Sequence, residues 1–118
     1  MTEHMDGCLF CKIAKKEIPA KLVYEDDWCV AFSDIRPQAP IHLLVVPRQH
    51  VTDLADLAES NLSLITQLVG AAHKVAQKMS LLEDGYRLVI NSGKNGGQTV
   101  FHLHLHVLGG RKMTWPPG

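Results

Sequence analysis

The sequence predicts an α+β fold, an antiparallel sheet of about five strands with one long and one short helix. Three observations predict it. Phe101-His102-Leu103-His104-Leu105-His106-Val107-Leu108 alternates with the two-residue period of a strand. Residues 60 to 81 carry the 3.6-residue spacing of an amphipathic helix, with Ile65, Leu68, Val69, Ala72, Ala76 and Met79 on one side. Strands come in runs rather than alternating with helices, which points away from a parallel sheet.

The elements follow in order. Leu9 to Ile18 reads as a short helix with Phe10, Ile13 and Ala14 on one side, broken by Pro19. Leu22-Val23-Tyr24 and Cys29-Val30-Ala31-Phe32 flank a polar turn and read as a hairpin. Residues 34 to 40 hold two prolines and form a loop. His42 to Pro47 is an apolar run of strand length, central in the sheet. Asp56 and Glu59 have capping-box spacing ahead of the long helix, and Ser60 is a second N-cap candidate. Asp84-Gly85 marks a turn, Tyr86 to Asn91 a strand, and the three glycines between Ser92 and Gln98 a loop. If the long helix covers Leu103 and Leu105, the histidines face away from it into a cleft.

A chain of 118 residues suits one domain spanning 1–118. Lys+Arg and Asp+Glu both total 12, which argues against broad electrostatic adhesion to nucleic acid or anionic membrane while permitting a pocket for one phosphate. No apolar run is long enough to cross a bilayer. The first seven residues lack the basic-then-apolar pattern of a secretory leader. Three cysteines, an odd number, do not make a disulfide framework, so a reducing, cytoplasmic setting is expected.

The chemistry concentrates in His102, His104 and His106. Alternation places the three imidazoles on one face, roughly 6.6 Å apart along a strand. Neutral imidazole has a lone pair for attack on phosphorus, while a second ring can serve as acid. His104, flanked on both sides, is the candidate nucleophile. His106 is the candidate acid and phosphate contact. His42 is either a fourth imidazole in the cleft or a strand-end surface histidine. The loop with Gly93, Gly96 and Gly97 lies just ahead of this row, and Gln98 and Thr99 add donors. Its backbone N–H groups can approach an anion, although such glycines also serve ordinary hairpin turns.

The His-Leu-His-Leu-His-Val-Leu run resembles the histidine triad signature. Residues 34 to 40, Tyr86 to Asn91, Gly96-Gly97-Gln98 and the ending Trp115-Pro116-Pro117-Gly118 resemble the Hint branch of the histidine triad nucleotide-binding family. The resemblance implies a homodimer whose sheet extends across both copies, with the Trp115 tail near the partner's site. It implies hydrolysis of purine nucleoside phosphoramidates, and of some aminoacyl adenylates, through a nucleotidyl-histidine intermediate. His104 matches the nucleophile, Asp34 the ribose-binding acid, and Ile35 a residue against the base. Asn91, Gly97, Gln98, Thr99 and His106 match positions around the phosphate. Thr99 stands where serine is frequent and keeps the hydroxyl. No cofactor is implied for catalysis.

Two other function classes compete. A zinc hydrolase would use the histidine cluster as ligands, since three histidines suffice for catalytic zinc. A noncatalytic nucleotide-binding or scaffold protein would bind AMP without turnover. A separate structural zinc is suggested by Cys8-x-x-Cys11, with His50 and His102 as further ligands; such a zinc occurs in some bacterial proteins resembling this family. Otherwise Cys8 and Cys11 are reduced thiols on a short helix. Cys29 reads as plain core, and His73 and His4 as inert.

Overall fold

The computed structural model describes residues 7–118, so His4 lies outside it. Five strands form one antiparallel sheet: β1 (Leu22–Glu25), β2 (Cys29–Ser33), β3 (Ile41–Pro47), β4 (Tyr86–Val89) and β5 (Leu105–Gly109), in the order β1-β2-β3-β5-β4. The short helix α1 (Leu9–Ala14) and the long helix α2 (Ser63–Lys78) complete the fold. This is the predicted α+β class. Among the described residues, no helix is long and apolar enough to cross a membrane.

The two helices take opposite faces of the sheet. Leu64, Leu68, Ala71, Ala72, Val75 and Ala76 of α2 pack on Cys29, Ala31, Leu43, Val45, Leu103, Leu105 and Val107. The other face gathers Phe10, Ile13 and Ala14 of α1 against Val30, Phe32, Leu44 and Val46. Leu103 and Leu105 lie under the long helix, as expected. Cys29 is plain core, with its thiol pushed up to about 12, chiefly by burial.

Several boundaries differ from expectation. The first helix stops at Ala14, well before Pro19. Lys16 enters the left-handed region at φ 62° and the Glu17 N–H bonds back to the Lys12 carbonyl, a C-terminal turn that ends the helix unaided by proline. The long helix begins at Ser63 rather than near 60, because two 3₁₀ turns, Leu54–Asp56 and Glu59–Asn61, take up the preceding residues. The capping pair is Asp53 with Asp56, not Asp56 with Glu59. Asp53 Oδ1 accepts from the Asp56 N–H at 2.9 Å, and Asp56 Oδ2 accepts from the Thr52 N–H at 3.1 Å. Ser60 lies inside the second turn and caps nothing. The buried stripe of α2 is also rotated from the predicted one. Ala71 and Val75 are inside, while Val69 is 45% exposed.

The most consequential difference is in the histidine row. The ladder includes only Leu105–Gly109, pairing Val45 with Leu105 and Val89 with His106. The β3–β5 ladder ends at Val45–Leu105, so residues 101 to 104 lie outside it although β3 itself continues to Pro47. Leu103 N–H turns to the Val51 carbonyl at 2.6 Å. β4 ends at Val89 rather than Asn91.

The phase of α2 is open to a direct test. Leu68→Ala is expected to cost about 2–5 kcal/mol and Val69→Ala under about 1 kcal/mol in urea unfolding. Comparable losses at both positions would contradict the packing described.

Candidate functional site

Residues 102 and 104 lie outside the β5 ladder, so their backbone groups can take other partners. The His102 carbonyl takes one. Nδ1 of His104 lies 2.7 Å from it, and a carbonyl only accepts, so Nδ1 carries the proton. Nε2 of His104 is then the basic nitrogen. The ring is 5% exposed and lies edge-on to Phe10, with centroids 5.2 Å apart. On its other side it meets His106, centroids 5.0 Å apart.

A second chain of hydrogen bonds fixes His106. The Gln38 N–H donates to His42 Nδ1 at 3.0 Å, so the His42 proton sits on Nε2. That Nε2–H faces His106 Nδ1 at 2.8 Å and Asp34 Oδ2 at 3.4 Å. His106 Nδ1 therefore accepts, and its Nε2–H is a buried donor without a hydrogen-bond partner among the described residues. An unmatched buried donor beside a basic nitrogen suits an oxygen-rich anion. Burial first, then His104 and His42, push the His106 pKa down to about 4. Burial also lowers that of His42, with Asp34 partly opposing it. His42 is thus the buried fourth imidazole and not a surface residue.

Asp34, His42 and His106 present ligand atoms within 4.8 Å of one another. With the tautomers set by this network, the ring lone pairs of His42 and His106 are already accepting hydrogen bonds. They do not converge on an ion.

His102 stands apart from this group. Its ring is fully buried, and Nε2 donates to the Pro47 carbonyl at 2.8 Å. Nδ1 faces Cys8 Sγ at 3.3 Å and Cys11 Sγ at 3.5 Å, and Cys11 Sγ lies 3.3 Å from His50 Nδ1. Of the two roles expected of His102, these contacts favour the metal-ligand one: Nδ1 is turned to the two thiols and Nε2 to the Pro47 carbonyl. Sulfur and nitrogen ligands on a tetrahedral zinc, with bonds of about 2.3 and 2.0 Å, stand about 3.5 Å apart. Cys8, Cys11, His50 and His102 meet that spacing and lie within 4.8 Å of one another, so the donor set fits a zinc ion. The Pro47 carbonyl orients the His102 ring as a ligand's outer partner does.

The glycine loop is braced internally. Gln98 is buried; its Oε1 accepts from the Gly93 N–H and its Nε2 donates to the Thr52 and Val100 carbonyls. The N–H groups of Gly97 and Gln98 bond to Lys94 and Gly93 carbonyls. Gln98 and Gly97 thus brace the loop, with these donors already engaged inside the protein. A Cβ on Gly96 would meet the Ser92 carbonyl oxygen, and Gly97 sits at φ 79°, so both positions require glycine. Thr99 is exposed, and its N–H and hydroxyl carry no hydrogen bond among the described residues. Asn91 is half-buried, Ile35 is 91% exposed, and neither bonds to the histidines. Asp34 Oδ1 accepts from the Arg36 N–H at 2.8 Å, which aims its other oxygen at His42. Phe10 and Gln38 were not recognised from sequence. Phe10 read as ordinary helix core, and a backbone N–H leaves no trace in residue type.

Comparisons with known proteins show the family and the fold. The family model for the HIT domain matches residues 15–113. A HIT family hydrolase from Legionella pneumophila has the same fold, with a TM-score of 0.91 and 54% identity, covering 95% of this chain and 100% of its own. A 14 kDa zinc-binding protein of Zea mays is 51% identical over 112 residues, 93% of this chain and 87% of that protein. A Zn-bound histidine triad family protein from Mycobacterium smegmatis superposes with a TM-score of 0.77 at 36% identity, covering 89% of this chain and 76% of its own.

His106 and His42 bind protons more weakly folded than unfolded. Between pH 6.5 and about 4 the unfolded chain holds more protons at His106, so its contribution to stability is complete above pH 6.5 and lost as pH falls through that window. Urea midpoints taken across this range are expected to fall less steeply in His106→Gln than in the wild type. Parallel profiles would mean that the ring is not held neutral by its surroundings.

Proposed function

The chain belongs to the HIT-domain family, and from that premise we propose that it is a nucleotide-binding hydrolase of the Hint type. It cleaves the P–N bond of purine nucleoside phosphoramidates, and of related adenylates, through a covalent nucleotidyl-histidine. The observation that carries this reading is the bond from His104 Nδ1 to the His102 carbonyl, which leaves Nε2 as a free base. The hydrolase structure from Legionella pneumophila supports the reaction class.

In this reading His104 Nε2 attacks the α-phosphorus and the bond to the amine nitrogen breaks. The ring gains positive charge as the new P–N bond forms, and the His102 carbonyl stabilises it through Nδ1–H. His106 Nε2–H donates to a phosphoryl oxygen. His106 does so as a neutral ring, not as the imidazolium acid first expected, since burial and its accepting Nδ1 disfavour a second proton. The proton that leaves with the amine is carried on the substrate nitrogen. Water then attacks phosphorus, His104 departs with Nδ1–H intact, and the nucleoside monophosphate and a proton are released. Asp34 and Ile35 take the nucleoside, and Asn91 and Thr99 flank the phosphate.

The reading includes a homodimer. β4 is an edge strand and Trp115 is 82% exposed, which leaves both available to a second copy. It also includes one structural zinc per chain at Cys8, Cys11, His50 and His102. The zinc supplies a crosslink and takes no part in either chemical step. The maize and Mycobacterium smegmatis relatives support it. Among the described residues no cysteine is in a disulfide, which suits a reducing, cytoplasmic setting.

Mixing the protein with adenosine 5′-phosphoramidate, followed by rapid quenching and mass spectrometry, is expected to find adenylate on the peptide spanning residues 101–108, at His104. His104→Ala is expected to lower kcat about a thousandfold or more. An adduct elsewhere, or AMP binding without turnover, overturns the proposal. Atomic emission is expected to find one zinc per chain, and chelation is expected to leave adduct formation slower but intact. Complete loss of adduct in chelated, folded protein would instead favour a catalytic ion.

A further inference from the structure

The cysteine–histidine centre and the nucleophile occupy adjoining stretches of backbone, and three contacts join them. The first is direct. His102 offers its ring to the cluster and its carbonyl to His104 Nδ1. One residue thus connects the thiols to the basic ring.

The second contact runs through α1. Phe10 lies between Cys8 and Cys11, and its ring meets both His102, at 6.0 Å between centroids, and His104, at 5.2 Å. A six-residue helix has too few turns to hold itself in place. Cys8 caps this one, accepting from the Cys11 N–H at 3.3 Å. Whatever grips the two sulfurs also sets the height of Phe10 over the His104 ring.

The third contact pairs the remaining ligand segments. His50 precedes Val51, whose carbonyl accepts from Leu103 N–H at 2.6 Å, and Leu103 separates His102 from His104. The Pro47 carbonyl, three residues before His50, receives His102 Nε2–H. Three chain segments, 8–11, 47–51 and 102–104, therefore close around the cluster. No strand ladder holds residues 102–104, so this closure takes the ladder's place.

We propose that zinc bound by Cys8, Cys11, His50 and His102 is a positioning centre for His104, holding that ring in the orientation and tautomer that expose Nε2. The inference rests on reading those four residues as a metal centre and His104 as the nucleophile. Zinc acts on the reaction only through the His102 backbone and Phe10. Its four ligands are protein groups, so the ion presents nothing to the substrate.

The test reads the ring itself and needs no substrate. Histidine-labelled protein is examined by ¹⁵N NMR with zinc loaded and after chelation, the His104 signals being assigned by their loss in His104→Asn. Loaded protein is expected to show a single Nδ1–H tautomer at His104. Stripped protein is expected to show mixed tautomers or broadened ring signals. In parallel, kcat for adenosine 5′-phosphoramidate is expected to fall about tenfold with KM unchanged, the scale of losing an outer-sphere partner. His50→Ala is expected to reproduce the stripped pattern, and His50→Cys, which restores a zinc ligand, to recover the loaded one. An unaltered His104 signal in folded, zinc-free protein overturns the proposal. If circular dichroism shows that stripping unfolds the protein, zinc-loaded Phe10→Leu decides. It keeps every ligand but removes the ring edge on His104, and an unchanged tautomer pattern there is the overturning result. A protein that takes up no zinc also overturns the proposal while leaving the hydrolase reading standing. Failure to turn over phosphoramidate leaves the NMR result interpretable by itself.

Discussion

The site depends on one hydrogen bond, from Nδ1 of His104 to the carbonyl two residues earlier. Without it the imidazole proton exchanges between two nitrogens, and a basic Nε2 exists only part of the time. With it, Nε2 is unprotonated whenever the ring is neutral. The bond is available only because residues 101–104 have left the sheet. In a continued ladder the same carbonyl would be committed to the neighbouring strand. The end of the β3–β5 ladder at Val45–Leu105 is thus a condition for the chemistry.

The two layers contribute differently. The α2 face supplies bulk burial, with Leu103, Leu105 and Val107 locked beneath the helix, so the opposite side chains of the same strand are aimed by the pleat. The α1 face is smaller and carries the functional contacts. Phe10 sits on the histidines, and the cysteines flank it. His42, which is buried, and His106, which is partly buried, form a hydrogen-bonded pair with Asp34 beside them, which favours neutral rings with defined donors. A row of four histidines thus divides its roles by partner, and proximity in sequence does not decide them.

Much of this was legible in the sequence because it follows from periodicity. The alternation at 101–108 placed the imidazoles on one face, and the apolar run at 42–47 placed β3 centrally, since both reflect side-chain direction alone. The C-x-x-C spacing, with His50 and His102, named residues that the fold does bring together. What was not legible depends on backbone partners. The helix ends at Lys16 and Ser80 are set by left-handed residues that are neither glycine nor asparagine. The rotation of α2 brings Ala71 and Val75 inside, and Ala71, being small, carries little weight in an apolar stripe. Gln98 looked like a phosphate donor because its type fits that task, and only its bonds reveal a loop brace. His102 looked equivalent to its neighbours in the row until its two ring partners were known.

The most direct measurement is a crystal structure of the protein with a nonhydrolysable adenosine phosphoramidate analogue at neutral pH. The account predicts His104 Nε2 about 3–3.5 Å from the α-phosphorus and opposite the leaving group, with Nδ1 still on the His102 carbonyl and His106 Nε2 on a phosphoryl oxygen. A phosphorus seated against another residue, or a His104 ring turned so that Nδ1 has left that carbonyl, would contradict it.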